Sequence, residues 1–162
     1  MKVLILSISD LDGGPSKRAY NLHQGLRLNG VESFIMVQRK FSDDPTVIGP
    51  ETFWEKIKNN LICPGVENIA RSILFSHGPF CSPAVISSVD LKKIRKIDPD
   101  IIHLQWVCRG FVKPEDLKKM GKPIVWTLRD MWPFCGAEHY VPEDSKKTYD
   151  IKGMHCASCV LM

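Results

Sequence analysis

Apolar and polar positions alternate along the chain in blocks whose lengths predict strands and helices in turn. KVLILSI (residues 2–8) is a continuous apolar run of strand length, the pattern of a strand buried on both faces of a parallel sheet. A polar Asp/Gly loop follows, and then PSKRAYNLHQGLRLNG predicts a helix. Pro15 suits its first turn, Ala19, Leu22 and Leu26 form an apolar stripe, and Asn29-Gly30 reads as the C-cap. VESFIMVQRK predicts a second strand, so residues 2–38 make a βαβ unit with a right-handed crossover.

From residue 41 to 80 the pattern predicts two short amphipathic helices, FWEKIKNNLI and VENIARSILF, broken by Cys63-Pro64-Gly65. Trp54, Ile57 and Leu61 recur at helical spacing beside Lys56 and Lys58. Core packing with a solvated basic face is the preferred reading there, ahead of a lip over a cleft or a helix that touches a membrane. The alternation then resumes. VDLKKIRKI predicts a basic helix, DPDIIHLQWV a strand opened by Pro99, PEDLKKMG a helix closed by Gly121, and KPIVWTLRD a buried strand. This rhythm predicts an α/β fold, a Rossmann-like three-layer α/β/α arrangement around a mostly parallel sheet.

Composition narrows the function classes. With 162 residues, 44% of them hydrophobic, the chain can bury one core. A net charge of +4 without a concentrated basic stripe argues against nucleic acid as partner and is compatible with an anionic small molecule or an acidic membrane surface. No apolar segment approaches the roughly 20 residues that span a bilayer, and MKVLILSIS lacks the features of an export signal. The expected location is cytoplasmic, and the six cysteines are expected as reduced thiols. The terminal CASCVLM reads as a chain cut in mid-protein.

In open parallel sheets, ligands bind beyond the carboxyl ends of the strands. Three such ends are polar here. The first holds Ser9, Asp10, Asp12, Gly13 and Gly14, then Ser16 and Lys17. Glycines at a helix start suit a phosphate, and a plain βα turn is the alternative reading. The second end offers His103, Gln105 and Trp106, hydrogen-bonding groups beside a ring that suits a sugar's apolar face. The third, WTLRDMWPFCGAEHY, gathers Thr127, Arg129, Asp130, Trp132, Glu138, His139 and Tyr140 and is the densest candidate.

DGGPSKRAYNL, PDIIHLQW and KPIVWTLRDMWPF…HY, in that order, resemble the N-terminal half of GT-B glycosyltransferases of the group 1, or family 4, type. The last segment is similar to a branch with TLHDMWPFTGGCHY before a cysteine-rich stretch. The resemblance implies a nucleotide-sugar-dependent enzyme of two Rossmann-like domains facing a cleft, this chain being the acceptor-side one and a C-terminal donor-binding domain missing. It implies Gly13, Gly14 and Lys17 near the donor phosphates and Arg129 and Asp130 at the reacting centre. Asp12, His103, Gln105, Trp106, Trp132, Glu138 and His139 would contact substrate. Expected partners are the nucleotide sugar, a glycan or lipid-linked acceptor of cell-surface polysaccharide synthesis, and the inner face of the membrane.

The chain departs from that pattern. Arg129 stands where the branch has a sugar-contacting His, and Glu138 where it has Cys. Arg holds its proton at neutral pH, so it can hydrogen-bond a hydroxyl or phosphate but not act as a base. Cys156 and Cys159 have zinc-like spacing, with Cys135, His139 or His155 as possible completing ligands; free buried thiols are preferred to that structural zinc, and no cofactor is expected. Two rivals remain. One is a catalytically inactive sugar-binding module. The other is an unrelated Rossmann-type nucleotide-binding enzyme, disfavoured by the lack of GxGxxG and of an acid ending the second strand.

Overall fold

The computed structural model describes residues 1–74, 81–135 and 137–140. Strand β1 (Lys2–Ser9) lies at the middle of a five-stranded sheet, all parallel, in the order β3-β2-β1-β4-β5. Its neighbours are β2 (Glu32–Arg39) and β4 (Ile101–Leu104); β3 (Val47–Ile48) and β5 (Ile124–Trp126) form the edges. Successive side chains of β1 feed opposite cores. Leu4 and Leu6 pack with Ile102, Leu104 and Ile94, while Val3 and Ile5 pack with Ala19, Ile35 and Val37. The sheet is thus covered by helix α1 (Gly14–Leu28) on one face, and by α4 (Leu91–Ile97) and α5 (Pro114–Met120) on the other. The predicted three-layer α/β fold is the fold observed.

Several details differ from expectation. In α1, Pro15 does occupy the first turn, but Leu22 stays 37% exposed and His23 is buried in its place. The inward face runs through Ser16, Ala19 and His23. The imidazole can be buried because Ser33 Oγ lies 2.9 Å from Nδ1 and Thr46 Oγ1 2.8 Å from Nε2. Burial holds its pKa below the ordinary histidine value.

The expected break at Cys63-Pro64-Gly65 is absent. α2 (Phe53–Ile57) continues through a π turn (Lys58–Ile62) into α3 (Cys63–Leu74). Pro64 has no N–H to donate and would crowd the carbonyl four residues back. The wide turn, closed by the Cys63 N–H on the Lys58 carbonyl, absorbs it.

The expected core packing of this segment is also corrected. Trp54 and Leu61 are 75% and 70% exposed, and Val66, Ile69 and Ile73 continue an exposed apolar stripe along α3. The same helix buries Cys63 and the carboxylate of Glu67. Its amphipathicity is therefore inverted: the acid points in and the apolar stripe points out. Gly110 makes the close approach possible, since at φ +72 a Cβ there would meet Glu67 Cγ at 3.0 Å and the Cys63 carbonyl oxygen at 3.1 Å.

β5 is an exposed edge and not the buried strand expected, and it ends at Trp126, so Thr127 to Asp130 leave the sheet as a loop before α6 (Trp132–Cys135). No helix among the described residues is long and apolar enough to cross a membrane.

Candidate functional site

A cavity of about 460 Å³ opens beyond the carboxyl ends of β1, β4 and β5. Its walls come from the start of α1 (Pro15), from α3 (Glu67, Arg71), from the loop after β4 (Trp106, Arg109), from the loop after β5 (Arg129, Asp130), from the residues after α6 (His139, Tyr140) and from Ser82. These are short loops on a rigid sheet, the placement in which a fold can vary side chains without losing its core.

Beyond β1, Asp10 is structural. Its fully buried carboxylate accepts from the N–H of Phe41 at 2.9 Å and of Ser42 at 2.8 Å, tying this loop to the one after β2. Asp12 pairs with Arg39 at 2.8 Å. Gly13 takes φ +83, a conformation that favours glycine. α1 then begins with no side-chain cap and no acid in its first turn, so among the described residues no side chain caps the positive end of its dipole. Gly14 and Lys17 lie on this exposed first turn.

Beyond β4 and β5, two hydrogen-bonded chains organise the wall. In the first, Gln105 Oε1 accepts from Arg129 Nε at 3.2 Å and Nη2 at 2.6 Å. That orientation makes the Gln105 amide donate to His103 Nε2 at 3.0 Å, which also takes the Thr127 hydroxyl at 2.7 Å. Burial, and then the nearby Arg129 charge, lower the His103 pKa and keep the ring neutral. His103 and Gln105 thus stand behind Arg129 and aim it.

In the second chain, Asp130 Oδ2 accepts from the Trp106 indole at 2.8 Å and contacts His139 Nδ1 at 2.5 Å, while Oδ1 takes the Trp132 N–H at 3.1 Å. Burial alone would raise the Asp130 pKa; the hydrogen bonds from His139 and Trp106 outweigh it and lower the value. His139 Nε2 lies 3.0 Å from Ser82 Oγ, and the Trp132 indole donates to the Ser82 carbonyl at 2.8 Å. Hydroxyl, imidazole and carboxylate are in sequence here. With Ser82 only 4% exposed and its N–H bound to the Ala137 carbonyl, the chain acts as a brace.

The cavity's polarity follows from which charges are already engaged. Its two carboxylates serve the fold: Asp130 as described, and Glu67 by accepting the N–H groups of Ala84, Val85 and Ile86 at 3.0, 2.8 and 3.3 Å. Arg109 and Arg129 line the same space. Arg109, at φ +58, sets its guanidinium 5.9 Å from the Trp106 ring centroid. A second cavity of about 430 Å³ lies beside β2 and α4, but its Lys93 is held by Glu51 and Glu55.

The structure therefore gathers Trp106, Arg129, Asp130 and His139 at one cavity and places His103 and Gln105 behind it. Trp132 is buried as part of the brace. Glu138 sits in a bridge with Cys81, and Asp12, Gly13, Gly14 and Lys17 remain at the α1 start. For zinc, the side chain of Cys135, and His155, Cys156 and Cys159, lie outside the described residues. Both ring nitrogens of His139 have partners. Cys108, Asp130 and His139 bring sulfur, oxygen and nitrogen within 4.8 Å of one another, donor types zinc accepts, although burial pushes the Cys108 thiol pKa well up. Glu67, Ser82, Arg71 and Arg109 were not singled out from sequence. Only the acid isolated in an apolar helix and the Arg-Gly pair after QWVC carried any signal.

No protein-family model matches the chain, and neither a curated protein nor a solved structure does.

Proposed function

We propose that this chain is the acceptor-side part of a glycosyltransferase that moves a sugar from a nucleotide-sugar donor to a glycan or lipid-linked acceptor of a cell-surface polysaccharide. The observation that carries the reading is an uncapped helix start that adjoins, through Pro15, a cavity walled by tryptophan and guanidinium groups. The N–H groups of the α1 first turn suit the diphosphate of the donor, whose charge grows as it leaves. Trp106 offers a flat apolar face to a sugar ring, and Arg129 offers donors to its oxygens.

In the proposed step the bond between the sugar's anomeric carbon and the diphosphate oxygen breaks. The acceptor hydroxyl oxygen bonds to that carbon, and its proton passes to the departing phosphate oxygen. Asp130 is better suited to positioning than to taking this proton, because its oxygens already accept three hydrogen bonds. The chain's contribution is orientation and charge stabilisation. The exposed stripe of Val66, Ile69 and Ile73, with Lys56 and Lys58 on the same helical segment, supports work at the cytoplasmic face of a membrane, where a lipid-linked acceptor would be presented.

A second reading, a sugar-binding module without transferase activity, is favoured by Arg129 in place of a histidine. Release of nucleoside diphosphate from a panel of nucleotide sugars, in the presence of membrane extract from the source cell as acceptor, separates the two. Release by the natural full-length protein is expected. Sugar binding without release would select the module instead.

A further inference from the structure

We propose that the cavity is built for an acceptor sugar bearing an acidic group, a carboxylate or a phosphate, gripped by Arg129 and Arg109. This rests on the glycosyltransferase reading and names the acceptor's chemical class.

Charge is the first argument. Arg109 and Arg129 line the cavity, and both of its carboxylates are committed to N–H donors of the fold. Among the described residues Arg129 hydrogen-bonds only to a neutral amide, that of Gln105, which is 2% exposed. A half-buried cation without a counter-ion is costly to hold, and an anionic ligand offsets that cost. Arg18 lies close enough to add to the positive field at Arg129.

Geometry is the second. Gln105 takes the Nε–Nη2 side of the guanidinium. The Nη1–Nη2 edge remains, and that edge fits two oxygens of a carboxylate or phosphate at once. Arg109 stands against Trp106, so an acid at the arginines would place the attached ring beside the indole. The donor diphosphate has a separate place: Gly13 and Gly14 do not line the cavity, and Pro15 marks where the helix start adjoins it.

The test is titration of the 162-residue protein, by NMR or calorimetry at fixed ionic strength, with four probes: methyl glucuronide, glucose 6-phosphate, methyl glucoside and inorganic pyrophosphate. Both acidic sugars should bind roughly 10-fold or more tightly than the neutral glucoside, as charge-assisted hydrogen bonds imply. Arg129→Gln and Arg109→Gln should each weaken both acidic sugars by roughly 10-fold and so erase that preference, with a smaller loss for the neutral glucoside. Arg129→Lys should keep part of it. Arg109 is exposed, so its variant reads the site even if Arg129→Gln melts early. Equal binding of neutral and acidic sugars overturns the inference and leaves the glycosyltransferase reading intact. Pyrophosphate binding as tightly as the acidic sugars, and as sensitive to Arg129→Gln, also overturns it, because the arginines would then serve the donor. Failure of every sugar to bind removes both.

Discussion

Asp130 Oδ2 and His139 Nδ1 lie 2.5 Å apart, and the same oxygen accepts the Trp106 indole at 2.8 Å. One carboxylate, on the loop after β5, thus joins the loop after β4 to the residues that follow α6. Asp130→Asn would present an amide N–H to one of these donors, or leave it unmet. The expected loss is about 3 kcal/mol of unfolding free energy in urea at neutral pH, the size seen when one partner of a buried pair is removed. A loss under about 0.5 kcal/mol would show that the brace does not hold these loops, since changes that small are typical of surface positions.

Gly14 separates ligand crowding from folding. A Cβ there meets nothing within 4 Å, and its φ lies outside the range reserved for glycine. Gly14→Val should therefore fold with a midpoint within a few degrees of the wild type, yet lose diphosphate binding and turnover. Unchanged turnover would remove the α1 start from the proposed donor site. Gly13, at φ +83, cannot serve as the control because a side chain there is strained by about 1 kcal/mol or more.

Acid stability should report Asp44. Its carboxylate accepts from Thr46 N–H and Oγ1 and from the Tyr20 hydroxyl and the Gln24 amide at 2.5–2.9 Å. Burial raises its pKa, but the hydrogen bonds from Thr46, Tyr20 and Gln24 prevail and bring it from 3.8 to about 2. The folded value is the lower one, so the contribution is present above about pH 4 and is lost as pH falls toward 2. It is worth about 2 kcal/mol at neutral pH. Asp44→Asn should be less stable by roughly that amount at pH 7, and the gap should narrow to under about 1 kcal/mol by pH 2 to 2.5. A gap that is constant with pH would mean the carboxylate charge is not what these donors stabilise.

Exposed apolar residues can be replaced without disturbing the core. Ile69→Glu with Ile73→Glu should leave the melting midpoint within about 2 °C. The pair should weaken co-sedimentation with phosphatidylglycerol vesicles by roughly 10-fold, and vesicles of neutral lipid should bind less well even to the wild type. Wild-type and variant protein sedimenting equally would end the membrane assignment for this helix.

What the sequence revealed tracks how local the determining physics is. KVLILSI predicts a strand buried on both faces because every residue in it must be apolar to sit there. That polar and aromatic residues would gather at the strand ends was legible because they directly follow such runs, whereas which of them line the cavity and which serve the fold, as Asp10 and Trp132 do, depends on distant partners. β3 gave no signal, because two residues pairing at an edge depend on β2 and not on their own pattern. The helix through Pro64 misled because the adjustment that admits proline lies in the preceding turn. His23 and Glu67 were passed over because their burial depends on partners 10 to 23 residues away.

The central position of β1 has a consequence for how the chain is made. Its β2 edge is satisfied within about thirty residues, but its other edge pairs with β4, where Val3 faces Ile101. At roughly 5–20 residues per second of synthesis, that second edge waits some 5–20 seconds for its partner. For roughly the last 3–12 seconds of this interval, β1 and the completed β2, backed by α1, present Leu4, Leu6 and Met36 before Ile94, Ile102 and Leu104 are made to cover them. The nascent chain is thus most vulnerable to self-association in that window, and a chaperone that shields the face opposite α1 would act there to greatest effect.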